Sequence, residues 1–427
     1  MKPLLPAALA FCGWLATVHP ASAQSWQSTG APNNPWLSPA CSADGTKLVA
    51  KVGNYLLSST NTGATWFTSG APFNPWTCVA MSADGVKLVA SAARIFNPAG
   101  GNANGGPIYT STDSGATWSQ ANVPSNQWAS VASSADGVKL VAVAAYNYSN
   151  TAYGSIYVST NSGADWTVTS APTNNWKCVA SSADGTRLIA GCGDYFRASS
   201  SGIFISTDSG ASWTSNSVST NFSAGFLPVW TSVASSADGS CLMGMRVFGS
   251  YNGANRPLVY TSTNYGVTWI SKELPTVGSG FVAMSADGGV LMASKGRLYI
   301  STDAGVTWLQ QNIPGLLYGW GSGCVASSAD GNKLYLVLGA DDFSQPNSIF
   351  TSYTAPKPQL KLKSSSTNLA LCWMISATNF IVQQNPDLSA TNWVTLTNAP
   401  TFNPATLQNQ INLSPSNGSG FFRLRAK

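Results

Sequence analysis

Side chains that can hold or move charge are scarce in this chain. Charged residues make up only 9% of it, with 16 acids against a single histidine, His19. His19 sits in a leader expected to be removed. Without it the chain has no Ser-His-Asp or Cys-His arrangement and no histidine metal ligand. Carboxylate chemistry remains open, and glycoside hydrolysis uses two carboxyl groups about 5–9.5 Å apart. Most acids fall in repeated turns. The candidates outside them are Asp194, Asp341 and Asp342 in variable segments, and Glu273, the only glutamate. Asp194 and the Asp341–Asp342 pair belong to repeat units nearly opposite one another, so no catalytic pair is expected. No metal or cofactor is expected either.

A second group of residues suits binding. Arg94, Tyr146, Tyr195, Arg197, Arg246, Tyr251, Arg256 and Arg297 concentrate in the same variable segments. Trp36, Trp76, Trp128, Trp176 and Trp230 each stand six residues before the serine of a recurring SADG. Their bland reading is packing between sheets; the sharper one is a rim of aromatic platforms. Arginine, tyrosine and tryptophan together suit a carbohydrate or a protein partner. The net charge of +5 is thinly spread and lacks any Lys/Arg run, which argues against nucleic acid and anionic lipid.

The elements that must position these residues are set by repetition. SADG occurs seven times, at 42–45, 82–85, 134–137, 182–185, 236–239, 285–288 and 328–331. Each copy lies between short apolar runs. A variable stretch, a third apolar run, a motif like STDSGATW (111–118) and a polar run follow. Every unit therefore reads as four strands joined by two tight hairpins and two variable loops. Such units repeated radially make a β-propeller, here with seven blades; a β-solenoid would have shorter periods. The STDSGATW-like motif is complete in six copies. The seventh unit breaks off after its third run (348–352), while residues 25–31 resemble a fourth run with no motif before it. The N-terminal strand is therefore expected to complete the last blade and close the ring, removing the exposed sheet edges.

Both recurring motifs read as turns. Asp-Gly between apolar strands is a hairpin with a left-handed glycine. In the longer motif the acid is Asp113, Asp208 or Asp303 in three copies and Asn61, Asn161 or Asn264 in the others. A general acid or metal ligand would not survive that exchange, whereas a turn acceptor does. The motif resembles the Asp box, S-x-D-x-G-x-T-W, also called the bacterial neuraminidase repeat. The resemblance covers residues 25–352 and implies a propeller of the sialidase-like superfamily. That superfamily includes sialidases, other glycoside hydrolases and non-enzymatic proteins such as a photosystem II assembly factor. A sialidase would also carry three arginines for the substrate carboxylate, a Tyr–Glu pair and an early Phe-Arg-Ile-Pro. The first unit has no arginine and Glu273 no tyrosine in its segment, so the resemblance points to a non-enzymatic member.

Met1-Lys2, an apolar run and Ala21-Ser22-Ala23 have the layout of a cleaved signal peptide, with no later span of ~20 apolar residues. Seven cysteines remain beyond it, an odd number without paired spacing, so small buried residues are expected, with one or two disulfides left open. The expected organisation is all-β: signal peptide 1–23, seven-bladed propeller 24–352, linker 353–358 and small C-terminal β-sandwich 359–427. The protein is expected to be secreted or periplasmic and monomeric, and to act as a binding or assembly module. A glycoside hydrolase is the alternative.

Overall fold

The structure, a computed structural model, describes residues 25–32, 34, 36–92, 94–95, 103–147, 152–194, 201–216, 218, 228–248, 257–275, 280–294, 296–314, 323–338, 348–353, 360–364, 369–374, 380–385, 392–403, 407–413 and 421–426. The expected signal peptide, and the expected linker beyond Tyr353, lie outside these residues. Every regular element among the described residues is a strand. No helix among the described residues is long and apolar enough to cross a membrane, which leaves β-barrel spans untouched.

The first repeat unit forms a four-stranded antiparallel sheet in chain order: Trp36–Cys41, Leu48–Val52, Tyr55–Ser59 and Phe67–Thr68. The following units build sheets of the same pattern. Burial within a sheet peaks at the second strand and is least at the fourth. Second strands such as Leu88–Ala92, Leu140–Ala144 and Leu188–Cys192 are buried at every position. Outer strands such as Ser119–Gln120 and Thr167–Val168 are exposed. A strand apolar on both faces needs cover on both faces, and neighbouring sheets supply it. Val49 and Leu56 of the first sheet share a core with Trp76, Val79 and Leu88 of the second. Trp36 and Leu48 of the first share another with Tyr335, Val337 and Ile349 near the end of the chain. The stack of sheets thus returns on itself.

Two further observations show the closure. The strand Trp26–Ser28 pairs antiparallel with Ile349–Tyr353, Gln27 opposite Thr351, and completes a sheet with Gly323–Ser327 and Lys333–Leu338. At the inner ends, the alanine N–H of each SADG donates to the alanine carbonyl of the next. The links run from Ala43 to Ala83, Ala135, Ala183, Ala237, Ala286 and Ala329, and back to Ala43, at 2.7–2.8 Å. These bonds join sheets whose strands do not pair with one another.

The turns explain the recurring motifs. In the first SADG, Asp44 Oδ1 accepts from Ser42 Oγ at 2.6 Å and from Thr46 N at 2.9 Å, and Gly45 has φ +67°. In residues 111–118, Asp113 Oδ1 accepts from Ser111 Oγ at 2.8 Å and Thr117 N at 2.9 Å, while Trp118 Nε1 donates to Gly115 O at 3.1 Å. The Asn copies keep the backbone bond and reverse the side-chain one: Asn61 Nδ2 donates to Thr65 Oγ1 at 2.9 Å, where Asp113 accepts from Thr117 Oγ1. The same reversal accounts for Asp165, which replaces the usual threonine. Asn161 Nδ2 donates to Asp165 Oδ2 at 2.8 Å, a contact that an aspartate at 161 would turn into repulsion.

Beyond the ring lie two more sheets. One joins Lys361–Ser364, Leu369–Met374, Gln408–Leu413 and Thr401–Asn403; the other joins Val394–Thr395, Phe380–Asn385 and Phe421–Ala426. Leu371, Trp373 and Ile411 of the first meet Val382 of the second in one apolar cluster. None of the seven cysteines after residue 24 is in a disulfide; Cys178, Cys192, Cys324 and Cys372 are buried.

Candidate functional site

Both hairpins of a sheet lie at one end of its strands, as the bond from Ser114 N to Val86 O shows. The variable loops therefore share the opposite end. There the best-defined polar cluster is built around Asn175, one residue before the inner strand Trp176–Ser181. Its side chain ties three segments together. Asn175 Oδ1 accepts from Tyr146 N of the preceding unit at 2.9 Å, and its Nδ2 donates to Asp194 Oδ2 at 3.3 Å. Asn175 O accepts from Gly193 N at 3.1 Å. Asp194 is only 5% exposed, and Tyr146 is buried with its ring edge-on to Tyr153 at 5.0 Å.

The next residue is Lys177, at a register shift in the inner strand. The two strands continue from Trp176↔Cys192 to Cys178↔Gly191, which leaves Lys177 as the extra residue of a β-bulge. Burial pulls its ammonium below the ordinary lysine range, and the nearby Asp194 carboxylate pulls it back up. Equivalent bulges in neighbouring sheets place Thr77, Ala129 and Thr231 at the same position. Lys177 is the one charged residue of the four. In the first sheet, Lys51 lies half-buried with its ammonium also lowered by burial, near the thiols of Cys324 and Cys78. Sequence reasoning missed Asn175, Lys177 and Lys51 as candidates. Only the NNW triplet (174–176) hinted at the first.

The seam between the fourth and fifth sheets borders this cluster. A Cβ on Gly193 would stand 2.7 Å from Val229 Cα, and one on Gly191 2.8 Å from Trp230 Cβ, so the loop is pressed against the neighbouring sheet. Across that seam the Arg246 guanidinium lies 5.5 Å from the Trp230 ring, only 3% exposed. Burial lowers its pKa, and the Tyr260 hydroxyl beside it opposes that shift.

Of the other expected binding residues, the described ones do not join this cluster. Arg297 Nη1 donates to Gln310 Oε1 at 2.8 Å, and Tyr299 Oη also approaches that oxygen, at 3.5 Å. Arg94 lies on a two-residue strand opposite Asn104. Glu273 ends an exposed outer strand opposite Leu258. Tyr195, Arg197, Tyr251, Arg256, Asp341 and Asp342 lie outside the described residues, as does the separation of Asp194 from Asp341 and Asp342. No group of three or more His, Cys, Asp or Glu able to hold a metal is found among the described residues.

The tryptophan platforms need correction. Trp36, Trp76, Trp128, Trp176 and Trp230 are 0–1% exposed. Trp76, Trp128, Trp176 and Trp230 each meet an aromatic of the same sheet's third strand: Tyr109, Tyr157, Phe204 and Tyr260, at 5.1–5.6 Å. Trp36 meets Trp66 at 4.7 Å. Their large apolar faces are worth most when covered on both sides, and adjoining sheets cover them. They are core, with no ring face left for a ligand.

No protein-family model matches the chain, and no curated protein does. Among solved structures, hydrazine synthase of Kuenenia stuttgartiensis is similar at 16% identity with a TM-score of 0.54. The match covers 77% of this chain and 97% of that one. Such a likeness concerns the fold alone, and with the four-stranded sheets it fits a β-propeller.

Proposed function

We propose that the chain is an exported seven-bladed propeller of the Asp-box type, closed by its N-terminal strand and followed by a small β-sandwich. Its role is that of a binding or assembly module that takes a carbohydrate or a protein partner on its variable-loop face. The observation carrying this reading is the Asn175 cluster, whose buried hydrogen bonds fix two loops and the approach to an inner strand against one another beneath the variable-loop face. Rigid polar groups held by a scaffold suit recognition. The acids elsewhere support it as well. Asp113 and Asp208 are held at about 2 by hydroxyl and backbone donors in their own turns, so they stay ionised and cannot serve as general acids at neutral pH. Asp194 is engaged by Asn175 and adjoins Lys177.

The test presents the full mature chain to a glycan array and, separately, to extracytoplasmic proteins by cross-linking. Lys177→Gln and Arg297→Ala are expected to weaken binding about tenfold or more, while Thr46→Ala on the hairpin face leaves it unchanged. Equal loss with Thr46→Ala, or glycan turnover abolished by Asp194→Asn, would overturn the proposal. A response to proteins and to no glycan assigns the face to a protein partner.

A further inference from the structure

The axis of the ring offers a second surface, on the hairpin end. The hydrogen-bonded alanines line a cavity of about 200 Å³ there, together with Met81, Met284 and serines at or beside the turns, among them Ser42, Ser82, Ser134 and Ser182. One residue from outside the ring packs onto its wall. Leu407, 8% exposed, belongs to the same apolar cluster as Ala43 and Ala329, with Ala83, Ala135, Ala183 and Ala286 packed around them. It comes from the C-terminal sheets, immediately before the strand Gln408–Leu413.

The backbone at this position sharpens the point. Leu407 has φ +53°, in the left-handed region where glycine or asparagine costs least. A leucine kept in that conformation, with its side chain buried at the centre of a ring of methyl groups, is held there by what the side chain does. The socket also selects for an uncharged occupant. No charged residue is among its described lining residues, which are alanine, serine, cysteine, methionine and Leu407. A carboxylate brought there would lose hydration without a cation to pair with. An aliphatic side chain loses water contact favourably.

We infer that the alanine ring is a docking socket for a single aliphatic side chain, and that its occupant is Leu407, which latches the C-terminal sheets onto the hairpin face. This inference does not depend on what the loop face binds.

The experiment compares the full mature chain with Leu407→Met, Leu407→Gly and Leu407→Asp by small-angle scattering and by the rate of limited proteolysis between residues 353 and 360. Burial of a leucine side chain favours docking by a factor on the order of ten or more. The Gly and Asp variants are therefore expected to show a larger radius of gyration and cleavage about tenfold faster, with Asp released further than Gly. Met is expected to stay close to wild type, since it conserves volume. Glycine relieves the backbone at 407, so its variant answers the question even if the aspartate one fails to fold. Scattering and cleavage unchanged in the glycine variant would overturn the inference, as would a methionine variant released as readily as the glycine one.

Discussion

Ring closure makes one residue near the N-terminus matter more than its three-residue strand suggests. Trp26 is 3% exposed, in a core with Leu298, Ile300, Leu334, Leu336 and Phe350 of the last two sheets. Trp26→Ala removes a buried indole and leaves a cavity, a change that costs about 3–5 kcal/mol in well-packed cores. Docking Trp26–Ser28 also covers Ile349–Tyr353, whose backbone would otherwise present an open edge. Destabilisation and self-association should therefore appear together. Urea unfolding followed by far-UV circular dichroism measures the first, and size-exclusion chromatography across protein concentrations measures the second. Gln27→Ala is the internal control, because Gln27 is exposed and its backbone pairing with Thr351 is untouched. It should shift stability by under about 0.5 kcal/mol. The reasoning is refuted if Trp26→Ala costs less than about 1 kcal/mol, well under the usual range, and the protein stays monodisperse wherever the wild type does.

Three other expectations rest on side chains. Asn161→Asp should destabilise by about 1 kcal/mol by facing two carboxylates across a 2.8 Å contact. Asp165→Thr added to it should restore the wild-type melting temperature, so a double variant no better than the single one would contradict the hydrogen-bond reversal. Asp113 has a folded-state pKa of about 2 against an ordinary 3.8. The stability it confers is full above 3.8 and fades as pH drops through 2. The melting temperature of Asp113→Asn should accordingly fall less steeply than wild type over that window; parallel curves would count against it. Burial pushes the Cys41, Cys192 and Cys324 thiols up to about 12 and Cys178 higher still. A thiol reagent at pH 8 should thus label these four slowly in the native protein and promptly in urea, and fast native labelling of Cys178 would show the packing to be wrong.

The repeating parts of the chain were readable and the variable parts were not, for one physical reason. A residue that recurs at each SADG or each STDSGATW-like motif does the same job in every copy, so its neighbours can be inferred from its period. Asp113 and Asn61 could be taken as turn acceptors for that reason, and residues 25–31 could be placed beside 348–352 because the unit count left one strand missing; the structure supplies the register, Gln27 opposite Thr351. The tryptophans show where this logic overreaches. Period located them at the start of the inner strand, but a one-dimensional pattern does not say whether a ring faces solvent or the adjoining sheet. Burial of 0–1% settles that for the sheet.

The residues that matter at the loop end have no period to expose them. Lys177 becomes an extra, partly buried cation only because its strand bulges there, and the same bulge carries threonine or alanine in three other sheets. Asn175 directly precedes a tryptophan, as Asn392 does, and adjacency alone does not mark it. It is singled out because Tyr146 and Asp194, 29 and 19 residues away, converge on its two amide atoms. Leu407 follows the same rule at the opposite end, since nothing in residues 401–413 marks that leucine as the one that meets Ala43. Repetition specifies the scaffold because identical contacts recur around the axis. Each site breaks that recurrence, with a charge where the other sheets carry a neutral side chain or a leucine where the backbone suits glycine.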